Sequence, residues 1–148
     1  MPKAGEQAPD FKLISHEGLQ VSLARLRGRK VILWFYPEAD TPGCTLEGCS
    51  FRDQMNYFDE NNIVVLGISF NDVERNDEFA AKHQFPFPLL CDTDRVVGLA
   101  YGACDDPRVR NAHRISFLID EDGQIARVYD SVNPRDHAAQ VLADVLGV

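Results

Sequence analysis

A chain of 148 residues, 45% hydrophobic and 26% charged, can bury one core without disulfide staples, so residues 1–148 are read as a single domain. Fifteen Lys and Arg against 23 Asp and Glu leave a formal charge of -8, which argues against nucleic acid and anionic membrane surfaces as partners, because both select a basic face. No apolar run approaches the roughly 18 residues of a membrane span and no N-terminal stretch has a signal-peptide pattern, so a cytoplasmic protein with reduced cysteines is expected.

The first ten residues, with Pro2 and Pro9, read as an extended lead-in. Phe11–Ile14 and Leu19–Leu23 are short strand candidates around the turn His16-Glu17-Gly18. Leu23 to Gly28 reads as a short helical turn. The densest basic cluster, Arg25, Arg27, Arg29 and Lys30, reads as a solvated turn. Val31–Tyr36 is continuously apolar, which predicts a strand buried on both faces. From Cys44 to about Glu60 the pattern is helical, with Phe51, Met55 and Phe58 at i, i+4 and i+7.

Ile63–Ser69 is a second buried strand, and Asn71-Asp72 can cap a helix to about Gln84. Phe85–Leu90 is extended, and its two prolines argue for an edge or irregular position. Asp92–Ala100 reads as a short helix. Arg114–Ile119 and Gln124–Tyr129 flank Asp120-Glu121-Asp122-Gly123, a hairpin signal. Asn133 is read as the cap of a last helix with Pro134 at its first position. The order is β-α-β-α, then a hairpin and a helix. It predicts an α/β, thioredoxin-like fold with an N-terminal β extension and an insert near residues 85–112, before the C-terminal hairpin and helix.

Chemistry concentrates at Pro37-Glu38-Ala39-Asp40-Thr41-Pro42-Gly43-Cys44-Thr45-Leu46-Glu47-Gly48-Cys49. Strand, tight loop, cysteine and helix follow one another. A cysteine at a helix N-terminus faces free backbone N–H groups and the positive end of the dipole, which favour its thiolate. In open α/β sheets reactive groups lie at the C-terminal ends of strands, and Cys44 follows the strand that ends near Tyr36. Thr41 lies three residues before Cys44, where its hydroxyl can turn toward the sulfur or a bound oxyanion. Arg114, at the mouth of an apolar strand, must find a partner or solvent. In this fold that place is near the first helix. Two features argue against a simple dithiol carrier: the spacing is Cys-x4-Cys, and His113-Arg114 stands where a proline usually enters this strand in thioredoxins.

Pro37-x-x-x-Thr41-x-x-Cys44 resembles the active-site signature of peroxiredoxins. The longer run from Phe35-Tyr36-Pro37 to Cys49-Ser50-Phe51-Arg52-Asp53 is similar to the bacterioferritin comigratory protein / peroxiredoxin Q subfamily, and the likeness spans nearly the whole chain. The resemblance implies reduction of hydrogen peroxide and organic hydroperoxides by Cys44 through a sulfenic acid. It implies that Pro37, Thr41 and Arg114 shape the pocket, that Glu47 lies near the arginine, and that Cys49 is the resolving cysteine. It implies thioredoxin as reductant, a monomer, and no metal or organic cofactor. Cys91 or Cys104 could compete with Cys49. His16, His83, His113 and His137 lie at no metal-ligand spacing with a cysteine. Other readings are a dithiol carrier or peroxide sensor, and a non-enzymatic holdase.

Five residues on an α-helix mean roughly 7.5 Å of rise and roughly 140° of rotation. Cα atoms about 8–9 Å apart exceed the roughly 7 Å limit for a disulfide. A Cys44–Cys49 bond therefore requires the first turns of the helix to unwind.

Overall fold

The computed structural model describes residues 1–147. Two short strands, β1 (Lys12–Ile14) and β2 (Gln20–Ser22), form the N-terminal hairpin, followed by a 3-10 turn over Leu23–Leu26. The main sheet holds β3 (Lys30–Phe35), β4 (Ile63–Ser69), β5 (Leu89–Cys91), β6 (Ile115–Ile119) and β7 (Ile125–Tyr129). Its order is β5-β4-β3-β6-β7. β3 runs parallel to β4 and antiparallel to β6, and β5 runs parallel to β4.

The sequence explains why β3 is central. Its side chains alternate between two apolar layers: Val31, Leu33 and Phe35 enter one core, Ile32, Trp34 and Tyr36 the other. The first layer is closed by Phe11 and Leu23 from the N-terminal region and by Val97 and Tyr101 from α4 (Val96–Tyr101). The second is closed by α1 (Pro42–Asp53), α2 (Met55–Glu60), α3 (Val73–His83) and α5 (His137–Leu146). A strand so covered needs no polar face, hence its unbroken hydrophobic run. Each large side chain buried here contributes roughly 1.5–3 kcal/mol.

Two expectations need correction. The helix read from Cys44 to Glu60 is two helices: Gln54, at φ -106 and ψ 5, closes α1 before α2 begins. The last helix starts at His137, not near Pro134. Asn133 Oδ1 accepts from Arg135 N (3.0 Å), so its side chain closes an Asx turn rather than capping the helix. Within the 85–112 segment, residues 89–91 pair with β4 as an edge strand. Pro86 and Pro88 fall just before that pairing, which agrees with the edge position they predict.

The basic cluster fastens the sheet end. Arg27 Nη1 donates to Asp122 O (2.8 Å), Lys30 pairs with Glu121 (3.2 Å), and Arg29 Nε donates to Asn62 Oδ1 (2.8 Å). No helix among the described residues is long and apolar enough to cross a membrane.

Candidate active site

The loop from β3 to α1 is held from several sides. Ala39 N donates to Asn71 Oδ1 (2.9 Å), and Arg75 Nη2 donates to Ala39 O (2.9 Å). Asp40 takes a left-handed conformation (φ 63), and its carboxylate accepts from Lys82 Nζ (2.9 Å) and meets His83 Nε2 (3.2 Å) at the end of α3. Thr41 is the N-cap residue of α1, with extended backbone at φ -88 and ψ 157, and Pro42 follows in the first turn. The first intrahelical bond runs from Thr45 N to Thr41 O (2.9 Å). The N–H groups of Gly43 and Cys44 precede it and project from the helix end, where an anion is favoured.

Cys44 is fully buried in the first turn of α1. Arg114, just before β6, brings Nη2 to 3.5 Å from Cys44 Sγ, while Nη1 donates to Glu47 Oε1 at 2.7 Å. One guanidinium thus bridges two side chains three residues apart on one face of α1. Gly43 makes the approach possible: a Cβ there would lie 2.8 Å from Arg114 Nη2. Glu47 is fully buried, and its second oxygen, Oε2, has no hydrogen-bond partner. Burial pushes its carboxyl up to about 7, against the pull of Arg114. Pro37 is half-buried where β3 ends.

Thr41 departs from expectation in one respect. Its hydroxyl donates to Glu38 O (2.7 Å), so its proton points back into the loop rather than to sulfur. The same oxygen keeps lone pairs that can accept from a ligand. Glu38 in turn receives Arg110 (2.9 Å) and Arg75 (3.4 Å), which ties the 85–112 segment to this loop.

Cys49 is half-buried near the middle of α1. The helix is regular through both cysteines, and all four cysteines of the chain are unbridged. Cys91 lies buried on β5, accepting from Asn76 Nδ2 (3.3 Å). Cys104 is buried just after α4. No group of His, Cys, Asp and Glu among the described residues could hold a metal ion.

Two neighbours escaped the sequence reading. Tyr36 OH donates to Asn76 Oδ1 (2.7 Å) beneath the site, and burial raises the phenol well above its ordinary range. His137 is fully buried at the start of α5, edge-on to Phe51 of α1. With Nδ1 donating to Gln140 Oε1 (3.5 Å), Nε2 accepts from the Ser116 hydroxyl (2.8 Å). The signal for His137 was the apolar stripe Ala138, Val141 and Leu142, which faces the same core.

Burial lowers the His137 imidazole from 6.5 to about 4. A histidine held neutral stabilises the fold fully above its unfolded pKa, and this is lost as pH falls from about 6.5 to about 4. The sum is about 3 kcal/mol. Glu47 works oppositely: its raised carboxyl loses stability as pH rises from about 4.5 to about 7. The two slopes oppose each other in the wild type. Urea midpoints of His137→Gln are therefore expected to fall between about pH 4.5 and 7, while the wild type stays nearly level. Parallel profiles for the two proteins would refute the assignment.

A buried cysteine in the first turn of a helix faces a guanidinium on a thioredoxin-like sheet, the setting of a reactive thiol. The chain belongs to the AhpC/TSA family, whose model matches residues 4–128. Peroxiredoxin Bcp of Escherichia coli (strain K12) is 40% identical over 145 residues, covering 95% of this chain and 93% of that protein. The crystal structure of peroxidoxin BcpB from Mycobacterium tuberculosis superposes with a TM-score of 0.94 at 32% identity, covering 100% of this chain and 99% of that one. The bacterioferritin comigratory protein of Xanthomonas campestris, whose structures were determined for insight into its alkyl peroxide reduction activity, gives 0.90 at 31% identity, covering 97% and 98%. These relatives are peroxiredoxins of the Bcp and PrxQ kind, and thiol-dependent peroxidase chemistry belongs to that class.

Proposed function

We propose that Cys44 is the peroxidatic nucleophile of a hydroperoxide reductase, that Cys49 resolves it, and that a thioredoxin-type dithiol restores both. The observation that carries this reading is Arg114 Nη2 at 3.5 Å from Cys44 Sγ, a close approach that the missing side chain of Gly43 permits. The thiolate attacks one peroxide oxygen, an S–O bond forms, and the O–O bond breaks. The second oxygen departs as hydroxide or alkoxide. Negative charge moves from sulfur along the O–O axis. Arg114 and the Gly43 and Cys44 amides lie where they can stabilise it as it moves. Thr41 Oγ1, already donating to Glu38 O, accepts a hydrogen bond from the peroxide and orients it. Sulfur takes the oxygen, so no metal or organic cofactor enters. Organic hydroperoxides join hydrogen peroxide as substrates, in line with the alkyl peroxide reduction described for the Xanthomonas relative.

The Cys44 sulfenic acid then condenses with Cys49, releasing water. On a regular helix the two Cα atoms stand about 8–9 Å apart, so α1 unwinds locally before the disulfide closes. Peptide mapping after one equivalent of peroxide is expected to yield a Cys44–Cys49 disulfide, reduced again in a thioredoxin-coupled assay. Amide exchange over residues 43–50 should rise in the oxidised form. A dominant Cys44–Cys91 or Cys44–Cys104 peptide, or unchanged exchange over 43–50, overturns the resolving step.

A further inference from the structure

The buried groups around Arg114 do not balance if every acid among them is ionised. Arg114 is the cation that meets them, through Cys44 at 3.5 Å and Glu47 at 2.7 Å. His137, facing from α5, is kept neutral by burial at neutral pH. Tyr36, facing from the end of β3, remains a phenol that donates to Asn76. Two potential anions, the Cys44 thiolate and the Glu47 carboxylate, therefore share one compensating charge. Both are fully buried. Ionising both leaves an uncompensated charge in a low-dielectric site, which is strongly opposed. Glu47 Oε2 has no donor to stabilise an anion, whereas Oε1 has Arg114.

Resting on the reading that Cys44 is the nucleophile, we propose that Glu47 holds the proton Cys44 gives up, so that the site stays at zero net charge through the oxidation of sulfur. Before reaction the site holds Cys44 thiolate, Arg114 guanidinium and Glu47 carboxylic acid. The thiolate attacks the protonated oxygen of ROOH, giving Cys44 sulfenic acid and the oxyanion RO⁻. The sulfenic acid is neutral, so Arg114 is now free to pair with a carboxylate. Glu47 ionises and its proton ends on RO⁻, giving ROH. One S–O bond forms, one O–O bond breaks, sulfur is oxidised, oxygen is reduced, and no proton is drawn from bulk solvent. The carboxyl's position near 7 fits a group that changes state within the working range. Glu47 thus holds Arg114 through Oε1 and supplies the proton that RO⁻ takes up.

The test uses the full chain carrying Cys49→Ser, which stops at the sulfenic acid. Reduced-minus-oxidised infrared spectra at about pH 6 are expected to show a carboxylic-acid C=O stretch lost and a carboxylate stretch gained on adding peroxide. Glu47→Gln in the same background should lack both signals and take up one proton per Cys44 oxidised, read with a pH-indicator dye in weak buffer, where the Glu47 protein takes up none. A full proton taken up by the Glu47 protein, or no change in its carboxyl bands, overturns the proposal. If Glu47→Gln does not fold, Glu47→Asp must shift the carboxyl band in frequency, and an unshifted band is equally fatal. Failure of Cys44 to react at all, seen by thiol titration, takes down the underlying reading as well. Oxidation of Cys44 without a carboxyl signal takes down this inference alone.

Discussion

Cys44→Ser is expected to lose hydroperoxide consumption entirely, with a fall of at least about 10⁴-fold against the wild type in a thioredoxin-coupled assay. A serine hydroxyl stays protonated at neutral pH, even beside Arg114, and oxygen is a poor acceptor of a second oxygen. The helix end, Arg114 at 3.5 Å and the Gly43 approach remain in place, but nothing in the pocket can attack. Full peroxidase activity in this variant would remove Cys44 from the mechanism. Circular dichroism and urea midpoints should change little, since sulfur and oxygen differ modestly in volume.

Arg114→Lys is expected to lower kcat/KM by about 10²–10³-fold, roughly 3–4 kcal/mol of transition-state stabilisation. Charge is conserved, so a field effect alone predicts near-normal activity. Geometry predicts otherwise. The guanidinium sends Nη1 to Glu47 and Nη2 to Cys44 at the same time. A single ammonium on a flexible stem serves one of them at a time. Whichever of the two it serves, it no longer holds Glu47 Oε1 and Cys44 Sγ in one fixed geometry, and the sulfur loses its oriented partner. The loss should sit in the rate of Cys44 oxidation, read by competition for peroxide, and not in the thioredoxin step. A variant within twofold of wild type would show that position matters less than charge.

Much of the site was legible because its residues are close in sequence. Pro37, Thr41, Cys44, Glu47 and Cys49 span thirteen positions and ride one loop and one helix. Arg114 was legible for another reason: a charge opening an apolar strand needs a partner, and the strand order brings β6 beside β3. The sheet was readable where strands are buried on both faces, as in β3 and β4. Boundaries set by single side-chain bonds were not. Gln54 gives no strong stop signal, and Asn133 could cap a helix or close its own turn. The Thr41 hydroxyl, free to rotate, chose the Glu38 carbonyl, a partner no spacing rule names. His137 was read only as one of four scattered histidines, because its burial depends on Phe51 and Ser116, which are distant in sequence.

The break at Gln54 has a mechanical meaning. α1 ends at Asp53, and α2 begins separately at Met55 with Phe58 seated in the core. Phe51, stacked on Trp34, anchors the last turn of α1 just beyond Cys49. Arg52 Nη1 ties the same turn to His83 O at 2.8 Å. Loosening that starts at Pro42 therefore meets a firm stop within about three turns, and the discontinuity at Gln54 keeps it from running on into α2. Under the proposed Cys44–Cys49 resolution, the opening would work as a hinged flap cut into a plate: it is confined to the stretch before Gln54 and leaves α2 and the sheet in place.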